Sequence, residues 1–486
     1  MPDADAATHS TWPTQLRQFP LAFWTLLALT AAVRLPAIAR PLLGNFATKS
    51  VVYAMIARNW VEGRASLWNP TVDVLCGDSR GWHLVEFPVS AYLTGWLWAV
   101  LGGSLDVWGR VTSVAFCVGS VALMYLFVRR REGPATAVAA ATALALSPVS
   151  IIYGQSFMLE ASLVFFTMAT LYAHDRWLDR RRTAWLILAC VCLALLLLTK
   201  IYMIVLLLPL GWMAVRNRRV GWLAAAALAI IPAAVWYTYA YQAASPDGPH
   251  AERIYFSLRR STQDHWPPPP LLYSADFYRQ LLDDLSGVVL TPIGVALLLA
   301  GLMNRRWRSY LPWLAAMAIL LLALPRKFYE MNYYALVVLP PLCVMIGLGW
   351  QTIYARVRPS RTAIAVLLSA VMVFSMRYAA RPAFFTPSED RGVLAAAEAV
   401  RKLADVDEPI VTMHGSTIDL LYYCNRPGWA VAPDTPDLDA VLQSYRRQGA
   451  RYVVVVGRDP MLREPLVSGE NFRVYGIEGK GLRVRD

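Results

Sequence analysis

Five arginine clusters cut this chain into apolar runs, each about as long as a bilayer is thick. They are Arg129-Arg130-Arg131, Arg176 with Arg180-Arg181-Arg182, Arg216 with Arg218-Arg219, Arg305-Arg306 with Arg308, and Arg356 with Arg358 and Arg361. Apolar stretches of about 17 residues or more, recurring at this density, do not fit a soluble domain. Hydrophobic side chains fill 57% of the 486 positions. The expected fold class is therefore a polytopic α-helical membrane protein. Lys and Arg collect on cytoplasmic loops because translocating them is unfavourable, so the clusters are expected on the inner face. They also account for most of the +13 net charge, which then calls for membrane lipids and not for nucleic acid as partner.

The spans read as 20–38, 108–128, 134–153, 157–173, 183–199, 200–215, 220–241, 286–303, 309–325, 333–354 and 362–380, about 11 in all. Residues 1–19 form a polar leader inside, and Leu21 to Ile38 reads as a retained signal-anchor helix. The run 183–215 is expected to turn near Lys200, because Arg182 and Arg216 must share a side. Residues 88–102 are apolar enough to span, but a crossing there would put the 39–107 loop and Arg129 on one side. The segment is instead expected to lie at the interface, with Tyr92, Trp96 and Trp98 as anchors. Parity then sends the long loops 39–107 and 242–284, and everything after about residue 381, to the non-cytoplasmic face. A bacterial inner membrane is the expected location.

Residues 381–486 change composition. Ser388 is a candidate N-cap for a helix running to about Ala404. Strand-like Pro409–Met413, Trp429–Ala432 and Arg451–Val456 alternate with helical stretches near 416–423 and 437–448, which suggests a small α/β domain with a partly parallel sheet. No glycine-rich phosphate loop is present. Cys76 and Cys424 fall in segments placed outside and are the one pair for which a disulfide is conceivable.

Charges on the loops expected outside carry the chemical signal. Glu86 precedes the 88–102 segment, Glu160 sits near the end of an apolar helix, and Glu330 lies in Arg326-Lys327-Phe328-Tyr329-Glu330. A carboxylate at membrane depth must face water or pair with a cation. Lys200 interrupts an apolar run at the expected turn, and either snorkels or meets an anionic headgroup. With Lys49, Arg58, Arg326 and Lys327 it would supply charge-assisted donors to a phosphate.

The chain resembles the GT-C superfamily of membrane glycosyltransferases, nearest to the family-39-like branch of lipid A aminoarabinose transferases and protein O-mannosyltransferases. The resemblance rests on Tyr53-Ala54-Met55-Ile56-Ala57-Arg58-Asn59, Glu86-Phe87-Pro88, Phe157–Glu160, Leu198-Thr199-Lys200, and Asn332-Tyr333-Tyr334 followed by Leu339-Pro340-Pro341. It implies transfer of a sugar from a polyprenyl-phosphate-linked donor to a glycan, lipid or protein acceptor in an outward cavity. Glu86 and Glu160 are then the expected catalytic carboxylates, one as base and the other orienting substrate or a divalent cation. Lys49, Tyr53, Arg58, Asn59, Lys200, Arg326, Lys327, Asn332 and Tyr333 are the expected substrate contacts. Two positions depart from the family pattern: Val52 stands where relatives carry an Asp, and Asn332 where they often carry His. A catalytically silent scaffold subunit and a lipid-linked glycan transporter are the alternative functions.

Overall fold

The computed structural model describes residues 20–477 except 45, 220, 249, 264–269 and 416. The leader 1–19 lies outside the described residues. Four helices are long and apolar enough to cross a membrane: Leu105–Glu132, Trp222–Ala243, Asn332–Val357 and Arg361–Ala379. Shorter apolar helices accompany them at Leu21–Ala37, Val89–Leu101, Pro134–Leu146, Thr183–Thr199 and Ile201–Arg216. Helix Val89–Leu101 is too short to span upright, and its Trp96 is exposed.

Two expected spans are broken. The 134–153 run divides at Ser147–Pro148, where the proline ring removes a helical N–H donor. The 286–303 run starts inside a π-helical turn, Leu285–Val289, and the two helical arms meet at 106°. Thr291 stands at that corner with φ +65°, a left-handed conformation that a β-branched residue adopts only under strain. Beyond it the helix Thr291–Leu302 lies against Ala335–Val357 at backbone contact. A Cβ on Gly301 would sit 2.2 Å from the Met345 carbonyl oxygen, and one on Gly349 would sit 1.8 Å from that of Leu297. Small residues permit such close crossings in apolar bundles.

The loops build one eight-stranded sheet. Its strands are β1 Thr71–Cys76, β2 Ser79–Leu84, β3 Ile254–Ser257, β4 Ile410–Met413, β5 Gly428–Ala430, β6 Tyr452–Val456, β7 Val467–Gly469 and β8 Phe472–Gly476. The order is β3-β2-β1-β5-β4-β6-β8-β7. Gly77, at φ +58°, makes the tight reversal between β1 and β2. β4 pairs parallel with both β5 and β6, whereas β6 pairs antiparallel with β8. The join between loop and C-terminal segment is β1 against β5, with Val74 opposite Gly428. Gly428 is required there, because a side chain would meet the Ile410 carbonyl at 1.8 Å.

Helix Ala47–Val61 packs on this sheet. Val51, Ala54 and Met55 share a core with Val72 of β1, Leu420 and Leu421 of helix Asp419–Cys424, and Val454 of β6. Tyr422 and Tyr423 donate to Asp106 at 2.6 and 2.8 Å, and the Leu42 amide donates to the Tyr423 hydroxyl at 2.5 Å. The C-terminal segment is thus fastened to both ends of the 39–107 loop. The expected long helix from Ser388 is divided: Ser388–Asp390 is a 3₁₀ turn, and the helix Val393–Leu403 starts after Gly392 at φ +96°. Cys76 and Cys424 remain free thiols.

Candidate active site

A cavity of about 670 Å³ opens where the sheet meets the helices. Its charged lining converges from separate elements: Lys49 from helix Ala47–Val61, Glu86 from just past β2, Lys200 from the break after helix Thr183–Thr199, and Lys327 from helix Pro325–Glu330. Backbone hydrogen bonds fix the first contacts. The Phe87 amide donates to the Leu198 carbonyl at 3.0 Å, and the Trp236 indole donates to the Val85 carbonyl at 3.2 Å. Lys200 leaves the helix in extended geometry, φ −153° and ψ 110°, which turns its side chain toward β2.

Glu86 is 5% exposed. Its Oε1 accepts from Lys200 Nζ at 2.5 Å and from the Tyr53 hydroxyl at 2.8 Å. Burial alone would raise this carboxyl, but Lys200 and Lys49 outweigh it and hold Glu86 well below the usual carboxylate range. His83, stacked on Phe256 with ring centroids 5.8 Å apart, is pulled down to about 4 by burial and is neutral at pH 7. Lys49 Nζ donates to Glu160 Oε1 at 3.0 Å and lies 4.0 Å from the centre of the Tyr333 ring, a cation–π contact.

Lys327 differs from its two neighbours. Its ammonium meets the Ser261 hydroxyl at 3.5 Å and has no carboxylate within ion-pair distance among the described residues. Burial, with Lys200 and Lys49 nearby, pulls it down to about 8. Lys327 is thus the cavity lysine without a carboxylate partner among the described residues, which favours an anion beside it. A pH dependence follows. The cationic form is lost as pH rises through 8, so affinity for an anion, read with inorganic phosphate as the probe, is expected to fall between pH 7 and pH 9. Lys327→Arg, which stays charged, is expected to flatten that decline in a titration of the purified protein.

Several expected site residues lie elsewhere. Glu160 does not line the cavity; it stands behind Lys49, with Oε2 buried and unpartnered among the described residues. Arg58 points away into the sheet, nine residues and so half a turn around the helix from Lys49, and Asn59 follows it there. Arg58 binds Asp73 at 2.5 Å and the Tyr422 carbonyl at 3.0 Å, and Asn59 donates to Asp73 at 3.2 Å. Arg326 is exposed and pairs with Glu330 at 2.6 Å, one helical turn on. Asn332 accepts from the Tyr153 hydroxyl instead of facing the cavity. Tyr53, Tyr333, Lys49, Lys200, Lys327 and Glu86 do line it, as does Val52. The sequence reading missed His83, Tyr202, Tyr237 and Tyr334, and the contribution of Asp390, Thr417 and Asp419. The tyrosines had a faint signal in their places beside Lys200 and Tyr333. The last three had none, since only the sheet pairing brings them there.

Known proteins share this fold. The profile described as dolichyl-phosphate-mannose-protein mannosyltransferase matches residues 86–239. Apo ArnT from Cupriavidus metallidurans superposes with a TM-score of 0.63 at 14% identity, covering 96% of this chain and 99% of that one. The chain has the GT-C fold. The same ArnT bound to undecaprenyl phosphate gives 0.62 at 13% identity, over 95% of this chain and 99% of the other. Archaeal oligosaccharyltransferase AglB from Archaeoglobus fulgidus, in complex with an inhibitory peptide and a dolichol-phosphate, gives 0.55 at 14% identity, with 92% and 70% covered. Mycobacterial arabinofuranosyltransferase AftD gives 0.55 at 15% identity, with 94% and 40% covered. No curated protein sequence matches the chain. Within this GT-C fold, the profile match begins at Glu86 and takes in Lys200.

Proposed function

We propose that the chain transfers a sugar from a polyprenyl-phosphate-linked donor to an acceptor hydroxyl on the non-cytoplasmic face. The observation that carries this reading is the cavity in which Glu86 stands among Lys49, Lys200 and Lys327. In the proposed step the acceptor oxygen attacks the anomeric carbon and the bond to the lipid phosphate breaks. Glu86 takes the acceptor proton, and the lysines hold the negative charge that grows on the departing phosphate. Glu160 acts through Lys49, as a positioning residue and not as a second catalytic carboxylate. Val52 leaves the helical wall without an acid at that point, and Glu86 brings one from the strand side of the same cavity.

The binding of undecaprenyl phosphate by ArnT and of dolichol-phosphate by AglB supports a lipid phosphate as the carrier. The test is incubation of the purified protein with a panel of polyprenyl-phosphate sugars, following release of free lipid phosphate. Turnover with a donor is the expected result. Failure with every donor in the presence of cell-envelope acceptors would favour a scaffold role. The orientation has its own check: single cysteines at exposed positions 78 and 217 are expected to be, respectively, accessible and shielded toward a membrane-impermeant reagent in intact cells. The reverse pattern would overturn the proposed face.

A further inference from the structure

The wall of the cavity opposite the lysine-bearing helices comes from the C-terminal segment. Asp390 ends the 3₁₀ turn Ser388–Asp390, His414 follows β4, and Asp419 opens the helix Asp419–Cys424. All three are buried, at 8%, 6% and 0% exposure. His414 Nδ1 lies 3.0 and 3.1 Å from the two oxygens of Asp419, and its Nε2 lies 3.3 Å from Asp390 Oδ1. The Nε2 atom is also 3.1 Å from the Glu389 carbonyl oxygen, and Thr417 Oγ1 donates to Asp419 Oδ1 at 2.6 Å. Asp390, Thr417 and Asp419 line the cavity, with His414 behind them.

Two features make this more than a structural ion pair. Asp390 Oδ2 is buried and has no hydrogen-bond partner among the described residues, although a buried carboxylate oxygen without a partner is costly. The charge is also unbalanced. Two buried carboxylates face one imidazole, so even a protonated ring leaves a net negative charge. One ligand atom from each residue falls within 4.8 Å of the others. Ligand atoms around a tetrahedral zinc ion stand about 3.4 Å apart, so the widest separation in the cluster has to close by up to about 1.4 Å when an ion binds.

We propose that Asp390, His414 and Asp419 form a divalent-cation site in the cavity wall, with Thr417 as an adjoining oxygen. An imidazole with two carboxylates suits Zn²⁺ or Mn²⁺ better than Ca²⁺, which takes oxygen ligands alone. Three protein ligands leave a coordination position open toward the cavity, where a substrate hydroxyl or phosphate oxygen can bind. The site is separate from the Glu86–Lys200 pair, and the proposal stands whether or not sugar transfer is found.

The test uses the full chain in detergent after treatment with a chelator, with ZnCl₂ and MnCl₂ as probes in calorimetric titration. One ion per chain is expected, with affinity falling about 10–100-fold or more in Asp390→Asn and in His414→Ala. The melting temperature of the wild type is expected to rise on metal addition, and that of Asp390→Asn to rise much less. Asp390→Asn preserves the shape of the side chain, so it decides the matter if His414→Ala does not fold. No saturable binding to the wild type, or undiminished binding to Asp390→Asn, would leave a protonated histidine between two aspartates and overturn the proposal.

Discussion

Glu86→Gln is expected to lower sugar release by about 10²–10⁴-fold, chiefly in kcat, with the protein still inserted in the membrane. Among the described residues the carboxylate is the one acid of the cavity held by both a lysine and a tyrosine, Lys200 at 2.5 Å and Tyr53 at 2.8 Å. In the resting site those partners make it a weak base. A donor phosphate that draws Lys200 and Lys49 toward itself would remove the charges that depress the carboxyl, and its basicity would rise only when donor is present. The amide also has a structural cost, because it leaves Lys200 buried without its counter-charge. Breaking a buried pair on one side costs on the order of 3–5 kcal/mol. Stability and catalysis are separated by the double variant Glu86→Gln/Lys200→Met. Its melting temperature is expected to recover toward wild type while its transfer rate stays low. A Glu86→Gln variant with full activity would remove Glu86 from the mechanism and turn attention to Asp390 on the facing wall.

The membrane class and the GT-C resemblance were legible because they rest on long periods: apolar runs, arginine clusters, and short motifs kept in order along the chain. Glu86, Lys200 and Lys49 were legible for a related reason. Each is a charge in an apolar setting, and such a charge is costly unless it has a partner. The three C-terminal strands fell close to β4, β5 and β6, since Val411, Val453 and Val454 form short apolar runs ended by turn residues. The continuous sheet was not legible. It depends on Val74 meeting Gly428 across some 350 residues of sequence, and nothing local in either strand records that register. The same long-range pairing carries Asp390 and Asp419 to the cavity. Arg58 and Asn59 were expected at the cavity from a short motif, which carries no record of the long-range contacts that turn them into the sheet. Their partner Asp73 sits on a strand that the sequence reading left within a loop.

Arg58→Met is the sharper test of that correction. Arg58 binds Asp73 at 2.5 Å, donates to the Tyr422 carbonyl at 3.0 Å, and lies 4.7 Å from the centre of the Tyr422 ring. It therefore ties helix Ala47–Val61 to β1 and to the C-terminal segment at one point. Asp73 is 1% exposed and would keep Arg80 at 3.1 Å and Asn59 at 3.2 Å, so it is not stripped of partners. The expected loss of stability is about 3 kcal/mol, the lower part of the range for a broken buried pair. It should appear as a lower melting temperature and as faster proteolysis near residues 385–392, where the C-terminal segment leaves the last apolar helix. Affinity for undecaprenyl phosphate, measured on the fraction that remains folded, is expected to stay within about twofold of wild type. A large drop in that affinity with unchanged melting would return Arg58 to the phosphate site. In that event the side chain would have to leave Asp73 when donor binds, and the loop that holds Glu86 would move with it.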